Sequence, residues 1–392
     1  NETIIMKQLI IIAALLLQCM MATAQQAGND LQISILTCAH GKEIYAAFGH
    51  SAFRVQSKSR KIDKVYNYGT FNYNQPLFVL KFVRGFLDYA VSGYDYRFFC
   101  MEYISEKREV REQLLNLAPE QAQAVYDFLE WNSLEKNRYY KYNFLEDNCA
   151  TRIRDVLINA CGEHIVLPDT TYSFTLRDAI DERIDEMPWF RFGITLLMGL
   201  PVDQNATAKT AMFLPDYVYS TVDAAMIVRD GEQVPLVSRS GVVVRADKPV
   251  SRTDILTYIC PALLLWILLA VWAWFTYKEI KNGTYHSVGD KALLFVLGMF
   301  GILFVVMWFF TEHTVTAWNM NLLWALPTHV VAAWAVKSQK KFWKTYYKVT
   351  AITTGLMLIL APVIPQHYDP AFYPILLMTI MRLARIGWRD NA

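Results

Sequence analysis

Two patterns of apolar positions divide the chain. Up to about residue 250 they fall in short runs and alternations, and beyond it in blocks long enough to cross a bilayer. In the first part, residues 31–38 read as a strand. Residues 51–56 and 64–68 alternate apolar and polar positions on either side of a Lys/Ser/Arg loop, as a hairpin does. Residues 76–87 predict a helix opening with proline, and 89–94 a strand. Residues 119–134 have the helical period, with Ala124, Phe128 and Trp131 expected on the apolar face. A tyrosine-rich extended stretch, 139–144, leads into a helix whose stripe is Ile153, Val156, Leu157 and Ala160, closed by Gly162. Further helices are expected at 176–185 and 215–225, with Asp230-Gly231 turning a hairpin. Strands before and after a central helix make this part an α+β domain.

The apolar blocks predict four or five membrane spans. They cover 255–275, 292–310, 322–336 and 349–364, and a short block at 372–380 extends through 381–386 to make a fifth. Loops 311–321 and 366–370 hold no Lys or Arg, whereas 337–348 holds five lysines, and the tail carries Arg382, Arg385 and Arg389. The positive-inside rule puts the basic loops in the cytoplasm and the first part of the chain outside. At the N-terminus, Met6-Lys7, an apolar run at 9–17 and Ala22-Thr23-Ala24 read as an export signal. The expected organisation is a signal peptide at 1–24, an exported domain at 25–250 and a membrane domain at 251–392.

Composition narrows the chemistry. A net charge of +2 over 392 residues offers no basis for nucleic-acid binding. Neither a C-x-x-C pair nor a Cys/His zinc spacing occurs, so no metal or cofactor is expected. Cys38 and Cys100 are available for a disulfide in an exported domain, although spacing favours no connectivity.

Cys149 is placed differently. Asp147 and Asn148 are helix-capping residues, so Cys149 opens the helix that follows. Unpaired backbone N–H groups and the helix dipole there favour a thiolate, and Arg152 one turn on adds a cation. Cys161, near the end of the same helix, takes the inert apolar slot. A cysteine nucleophile needs a base, and His40, His50 and His164 are the histidines before residue 250. His50, in Gly49-His50-Ser51 at the start of a strand, is the best held of the three. Asn67, on the neighbouring strand, is the leading candidate to orient its ring.

Several segments together resemble a known family, the Bacteroides-type lipoprotein N-acyltransferases (Lnb). They are Tyr45-Ala46-Ala47-Phe48-Gly49-His50-Ser51, Val65-Tyr66-Asn67-Tyr68-Gly69, Asp147 through Asp155, and Met212-Phe213-Leu214-Pro215. In the membrane half, Thr311-Glu312-His313 and 319–324 join them. The order of a strand His followed by Asn-Cys opening a helix also resembles the circularly permuted papain-like fold of the NlpC/P60 and lecithin:retinol acyltransferase superfamily. The resemblance implies a multi-pass protein of the bacterial inner membrane with a periplasmic catalytic domain. The implied reaction moves a fatty acyl chain from a phospholipid donor to the N-terminal amine of a diacylated lipoprotein, through a thioester on Cys149.

Secondary residues carry weaker expectations. Arg152 and Arg154 suit either a lipid phosphate or ion pairs with Asp147 and Asp155. Glu312 and His313, in a loop on the exported side, are candidates for shaping the donor or acceptor site. Trp318, Asn319 and Trp324 read as interfacial anchors, and His329 as a helix–helix hydrogen-bonding residue. The apolar stretch 190–200 suits docking on the bilayer or on the spans, or ordinary core packing. Two other functions use the same residues: a membrane-tethered cysteine peptidase or amidase acting on cell-wall peptides, and a non-catalytic envelope-binding module in which Cys149 is merely buried.

Overall fold

The computed structural model describes residues 30–246, except 73 and 75, and residues 259–389. The expected export signal, the boundary near residue 250 and the first four residues of the expected span at 255–275 lie outside the described residues. The chain forms two compact units. One holds residues up to 73, 88–170 and 207–250. The other holds 74–87, 171–206 and 251–392.

The first unit is built on a seven-stranded antiparallel sheet. Its strands are β1 (Gln32–Cys38), β2 (His50–Ser57), β3 (Ile62–Thr70), β4 (Asp88–Asp95), β5 (Val110–Leu115), β6 (Tyr139–Lys141) and β7 (Val237–Val244), in the order β7-β5-β1-β2-β3-β4-β6. Residues 33–38 of β1 are all buried, as befits a strand covered on both faces. Around it pack α1 (Tyr96–Ser105), α2 (Pro119–Asn132), α3 (Cys149–Cys161) and α4 (Pro215–Ala224). Phe99 and Tyr103 of α1 join Leu36, Cys38, Ala52 and Val65 in one apolar cluster. The hairpin at Asp230-Gly231 is present, with both residues at positive φ, +53 and +84°, as a type I′ turn requires.

One expectation for this unit is corrected, and one open question is answered. On α2, Ala122, Val125, Leu129 and Asn132 are buried while Trp131 is exposed, the reverse of the expected 124/128/131 face. Both sets have the helical period. The hydrogen bond from Tyr68 Oη to Asn132 Oδ1 (2.7 Å) goes with the buried set. Cys38 and Cys100 are not bridged, and both are free thiols among the described residues. Their sulfurs instead hydrogen-bond to Tyr103 and Tyr96, and burial pushes the Cys38 thiol up to about 12.

The second unit is helical. Its long helices are α5 (Pro261–Lys281), α6 (Ser287–Phe309), α7 (Lys341–Leu360) and α8 (Phe372–Gly387). Two of them, α5 and α6, are long and apolar enough to cross a membrane. The expected span at 322–336 is not a continuous helix. It consists of a short turn at Met320–Leu323, a helix at His329–Ala332 and another turn at Ala333–Ala335. Pro327 lacks the N–H a helix would need. His329 takes up one freed backbone group, bonding to the Trp324 carbonyl (3.2 Å), while Trp324 Nε1 donates to Asn321 Oδ1 (2.9 Å) and Tyr346 Oη bonds to His329 Nδ1 (2.7 Å). Irregular backbone of this kind needs close packing inside protein to satisfy its polar groups. Gly298 and Gly301 of α6 provide that packing, since a Cβ at either would lie 2.4 Å from Val330 N or 2.1 Å from Ala325 O.

Asn319 and Trp324 are likewise not surface anchors, because both are buried. Asn319 Nδ2 donates to the carbonyls of Leu196 and Leu197 (3.0 and 3.1 Å), and Asn321 Nδ2 to that of Leu196 (3.0 Å). Thus the stretch at 190–200, helical over Pro188–Leu197, docks on the helices of its own unit, with Phe192 stacked on Phe372. Arg177, fully buried, ties the same segment down through Asp203 and the carbonyls of Thr195, Met198 and Gly199.

Gly199→Ala is expected to destabilise the protein by about 1–3 kcal/mol, the usual cost of overpacking. Its methyl would lie 1.9 Å from the Ala317 carbonyl oxygen. Gly193→Ala, where a methyl meets nothing within 4 Å, should leave the thermal midpoint in detergent unchanged or raised. Equal midpoints for the two variants would contradict the docking of 190–200 on the loop at 311–324.

Candidate active site

Cys149 is the first residue of α3, and its position is set by Asn148. The Asn148 side chain accepts hydrogen bonds from Ala150 N (2.8 Å) and Thr151 N (2.9 Å), while Thr151 Oγ1 accepts from Asn148 N (2.7 Å). Its amide donates to the carbonyls of Phe144 (2.7 Å) and Phe213 (2.9 Å). Phe144 packs edge-on between Phe48 and Phe213, at 5.1 and 5.6 Å. Three of the sequence segments singled out above therefore converge on the residue before the thiol.

His50 opens β2, opposite Cys38. Gly49 is at φ +77°, and a Cβ there would lie 2.7 Å from the Cys38 carbonyl oxygen. Only glycine fits this entry to the strand. In β2–β3 pairing Phe53 lies opposite Tyr66, a register that sets residue 52 opposite 67 and makes His50 the diagonal neighbour of Asn67 on one face. The His50 Nε2 atom is hydrogen-bonded to Asn67 Oδ1. Asn67 is held in turn by donating to Tyr94 Oη (3.3 Å). With Nε2 occupied, Nδ1 is left for the thiol, and the side chains of His50 and Cys149 are hydrogen-bonded. Both residues remain partly accessible.

The two groups titrate as a pair. Burial alone would raise the Cys149 thiol, but the positive charge and hydrogen bond of His50, with backbone N–H groups of Ser51 and Ala150, bring it below the ordinary thiol range. Burial alone would lower His50. The adjacent thiolate and the bond to Asn67 outweigh burial, and the imidazole is raised. Both shifts favour the thiolate–imidazolium form of the pair. Cys161 shows the opposite behaviour, pushed up to about 11 by burial.

Other expected residues are placed as follows. Arg152 is paired with both oxygens of Asp147, including an Nη2–Oδ2 bond of 2.7 Å, and its guanidinium lies 4.2 Å over the Tyr140 ring. Its charge is taken up there, and His50 is the main cation lowering the thiol. Arg154 is paired with Asp155 (2.7 and 3.2 Å) and donates to Lys209 O (3.3 Å). Glu312 and His313 belong to the other unit, where Glu312 N donates to Arg84 O (3.0 Å). Sequence reasoning missed Tyr140. Its hydroxyl is buried without a hydrogen-bond partner among the described residues, and burial, with the nearby Cys149 charge, pushes it well above the ordinary phenol range. The tyrosine-rich run before the cysteine was its only sequence signal. No group of three His, Cys, Asp or Glu side chains able to hold a metal occurs among the described residues.

Two family models match the chain. Residues 18–177 match the family model described as the Lnb N-terminal periplasmic domain, and residues 252–390 match the Lnb transmembrane domain. The chain belongs to the Lnb family. It is thus a membrane protein with a periplasmic domain, in a family of lipoprotein-maturation enzymes. Cys149, His50 and Asn67 all fall within the part matched to the Lnb periplasmic domain. No curated protein and no solved structure matches the chain.

The coupled pair makes a pH prediction. Because the thiol is lowered in the folded protein, alkylation of Cys149 by iodoacetamide should stay fast below the pH at which an ordinary thiol protonates, and fall as pH drops through the lowered value. In His50→Ala the burial cost is no longer offset, so the inflection should move above the ordinary range. An unchanged inflection, followed by peptide mass spectrometry, would show that His50 does not set the thiolate.

Proposed function

We propose that the chain is a lipoprotein N-acyltransferase working through an acyl-enzyme on Cys149. The observation that carries this reading is the hydrogen-bonded array Cys149–His50–Asn67 at a helix start, in a chain that also has an Lnb transmembrane domain. The Cys149 thiolate attacks a phospholipid ester carbonyl. The tetrahedral intermediate collapses with cleavage of the ester C–O bond, and the His50 imidazolium gives its proton to the departing lysophospholipid oxygen. A thioester and a neutral imidazole remain. The α-amine of a diacylglyceryl-cysteine lipoprotein then attacks the thioester, His50 takes the proton, and the Cys149 thiolate leaves as the amide forms.

Each supporting residue has a physical task. Asn67 orients the imidazole through Nε2. The unpartnered Tyr140 hydroxyl and the N–H groups near Cys149 are suited to receive the oxyanion. Arg152 and Arg154, each already paired with an aspartate, are assigned to holding the loop and helix around Cys149 in preference to a lipid phosphate. Glu312 and His313 are assigned to shaping the donor or acceptor site. The order of strand-borne His50 before helix-opening Cys149 supports a permuted papain-like domain. We read α5, α6, α7 and α8 as crossing the inner membrane, with 322–336 packed among them, giving four spans and the catalytic unit in the periplasm.

The protein in detergent, given phospholipid and a diacylated lipopeptide, is expected to add one acyl chain to the peptide. Cys149→Ala and His50→Ala should abolish the gain. Asn67→Ala should lower kcat by about 10²-fold, at the lower edge of general acid–base effects. Tyr140→Phe should lower kcat by about 10²-fold, as expected for losing one oxyanion donor, while leaving the alkylation profile of Cys149 in place. Loss of a peptide bond instead of an acyl gain would identify a peptidase. An acyl gain that persists in Cys149→Ala would refute the covalent route.

A further inference from the structure

The catalytic sheet is interrupted between β3 and β4 by residues 74–87, which belong to the membrane unit. Within this excursion Phe78–Arg84 is helical, with Lys81 and Arg84 in its last turn. Leu80 and Val83, three residues apart, lie on one side of this helix, and Leu77 immediately precedes it. Leu77, Leu80 and Val83 are 70%, 52% and 40% exposed. An outward stripe of three large aliphatic side chains beside two cations is the composition of an interfacial helix.

The level of this stripe is fixed by the end of α6. Glu312, three residues beyond the last residue of that 23-residue helix, donates its N–H to the Arg84 carbonyl (3.0 Å). Gly85, at φ +72°, passes so close that a Cβ would lie 3.2 Å from that of Glu312. The same end of α6 carries a belt of exposed rings: Phe309, Phe310, and Trp318, which lies 4.9 Å from Trp308. Aromatic residues at the end of a membrane helix mark the headgroup level. The excursion is therefore held at that level, with its aliphatic stripe turned away from the unit and its cations where lipid phosphates lie.

We propose that residues 74–87 form an interfacial strap whose Leu77, Leu80 and Val83 are immersed in the phospholipid leaflet on the exported side. In the sequence the strap follows the strand carrying Asn67 after three residues, 71–73. This inference rests on the aromatic belt and the Glu312 contact, and stands whether or not acyl transfer is the reaction.

The test is a lipid-sensitive fluorophore on Leu80→Cys in the full chain, reconstituted alone in phosphatidylcholine/phosphatidylglycerol vesicles. The parental protein, labelled in parallel, corrects for its own accessible thiols. Val83→Cys serves as a second position in case the first disturbs folding. The expected result is blue-shifted emission, quenched about twofold or more by lipid spin-labelled near the headgroup and little by iodide. Quenching by iodide without quenching by the lipid would place the strap in water and overturn the proposal. Protection from both would mean that protein covers it, which also overturns it.

Discussion

The side chain of Asn148 is the constraint on which the site depends. It closes the first turn of α3 with two accepted hydrogen bonds and binds two distant carbonyls with two donated ones. A cap of this kind is worth about 1 kcal/mol, and each buried carbonyl left without its donor costs about 1–3 kcal/mol. Its larger consequence is positional. Because Phe144 and Phe213 reach Asn148 from different parts of the sequence, the helix start cannot shift without disturbing both. The thiol is thereby held beside the first residues of β2, where Gly49 lets the chain pass close enough to Cys38 to present His50. The electrostatics follow from that placement, since a buried thiol away from a cation behaves as Cys161 does.

The membrane unit is governed by a different constraint, the need to satisfy backbone polar groups away from water. The chain meets it at 320–336 by burying an irregular segment against Gly298 and Gly301 of α6 and by bonding the Asn321 and His329 side chains to the carbonyls of Leu196 and Trp324. At the other end of the same unit, Arg382 of α8 is buried between Asp290 of α6 and Glu279 of α5. Such a cluster is costly to break, because removing one partner strands the others without compensation. Together these polar contacts fix how the helices register in a setting where apolar packing alone discriminates poorly.

The core of the site was legible in the sequence because its signals are local. Cap residues before Cys149, a glycine before His50 and a hairpin that carries Asn67 each act within a few positions. What escaped depends on distant partners. Tyr140 matters because no neighbour satisfies its hydroxyl, and a one-dimensional pattern cannot show a missing partner. The strands β5 and β7, with sequences VREQLL and VSRSGVVV, were missed because polar residues interrupt their apolar pattern, and pairing with β1 and with each other decides them. On α2 two apolar sets share the helical period, and the weight given to Trp131 chose the wrong one. The apolar run at 322–336 reads as a span until the glycines facing it are seen.

The central claim is that Cys149 carries the acyl group, and intact-protein mass spectrometry tests it most directly. Enzyme incubated with phospholipid alone, without acceptor, should gain the mass of one fatty acyl chain on the peptide containing Cys149. Neutral hydroxylamine should remove it, as it removes a thioester, and a diacylated lipopeptide should discharge it with amide formation. If acyl transfer to the lipopeptide proceeds while no adduct forms on Cys149 and none is released by hydroxylamine, the account is wrong.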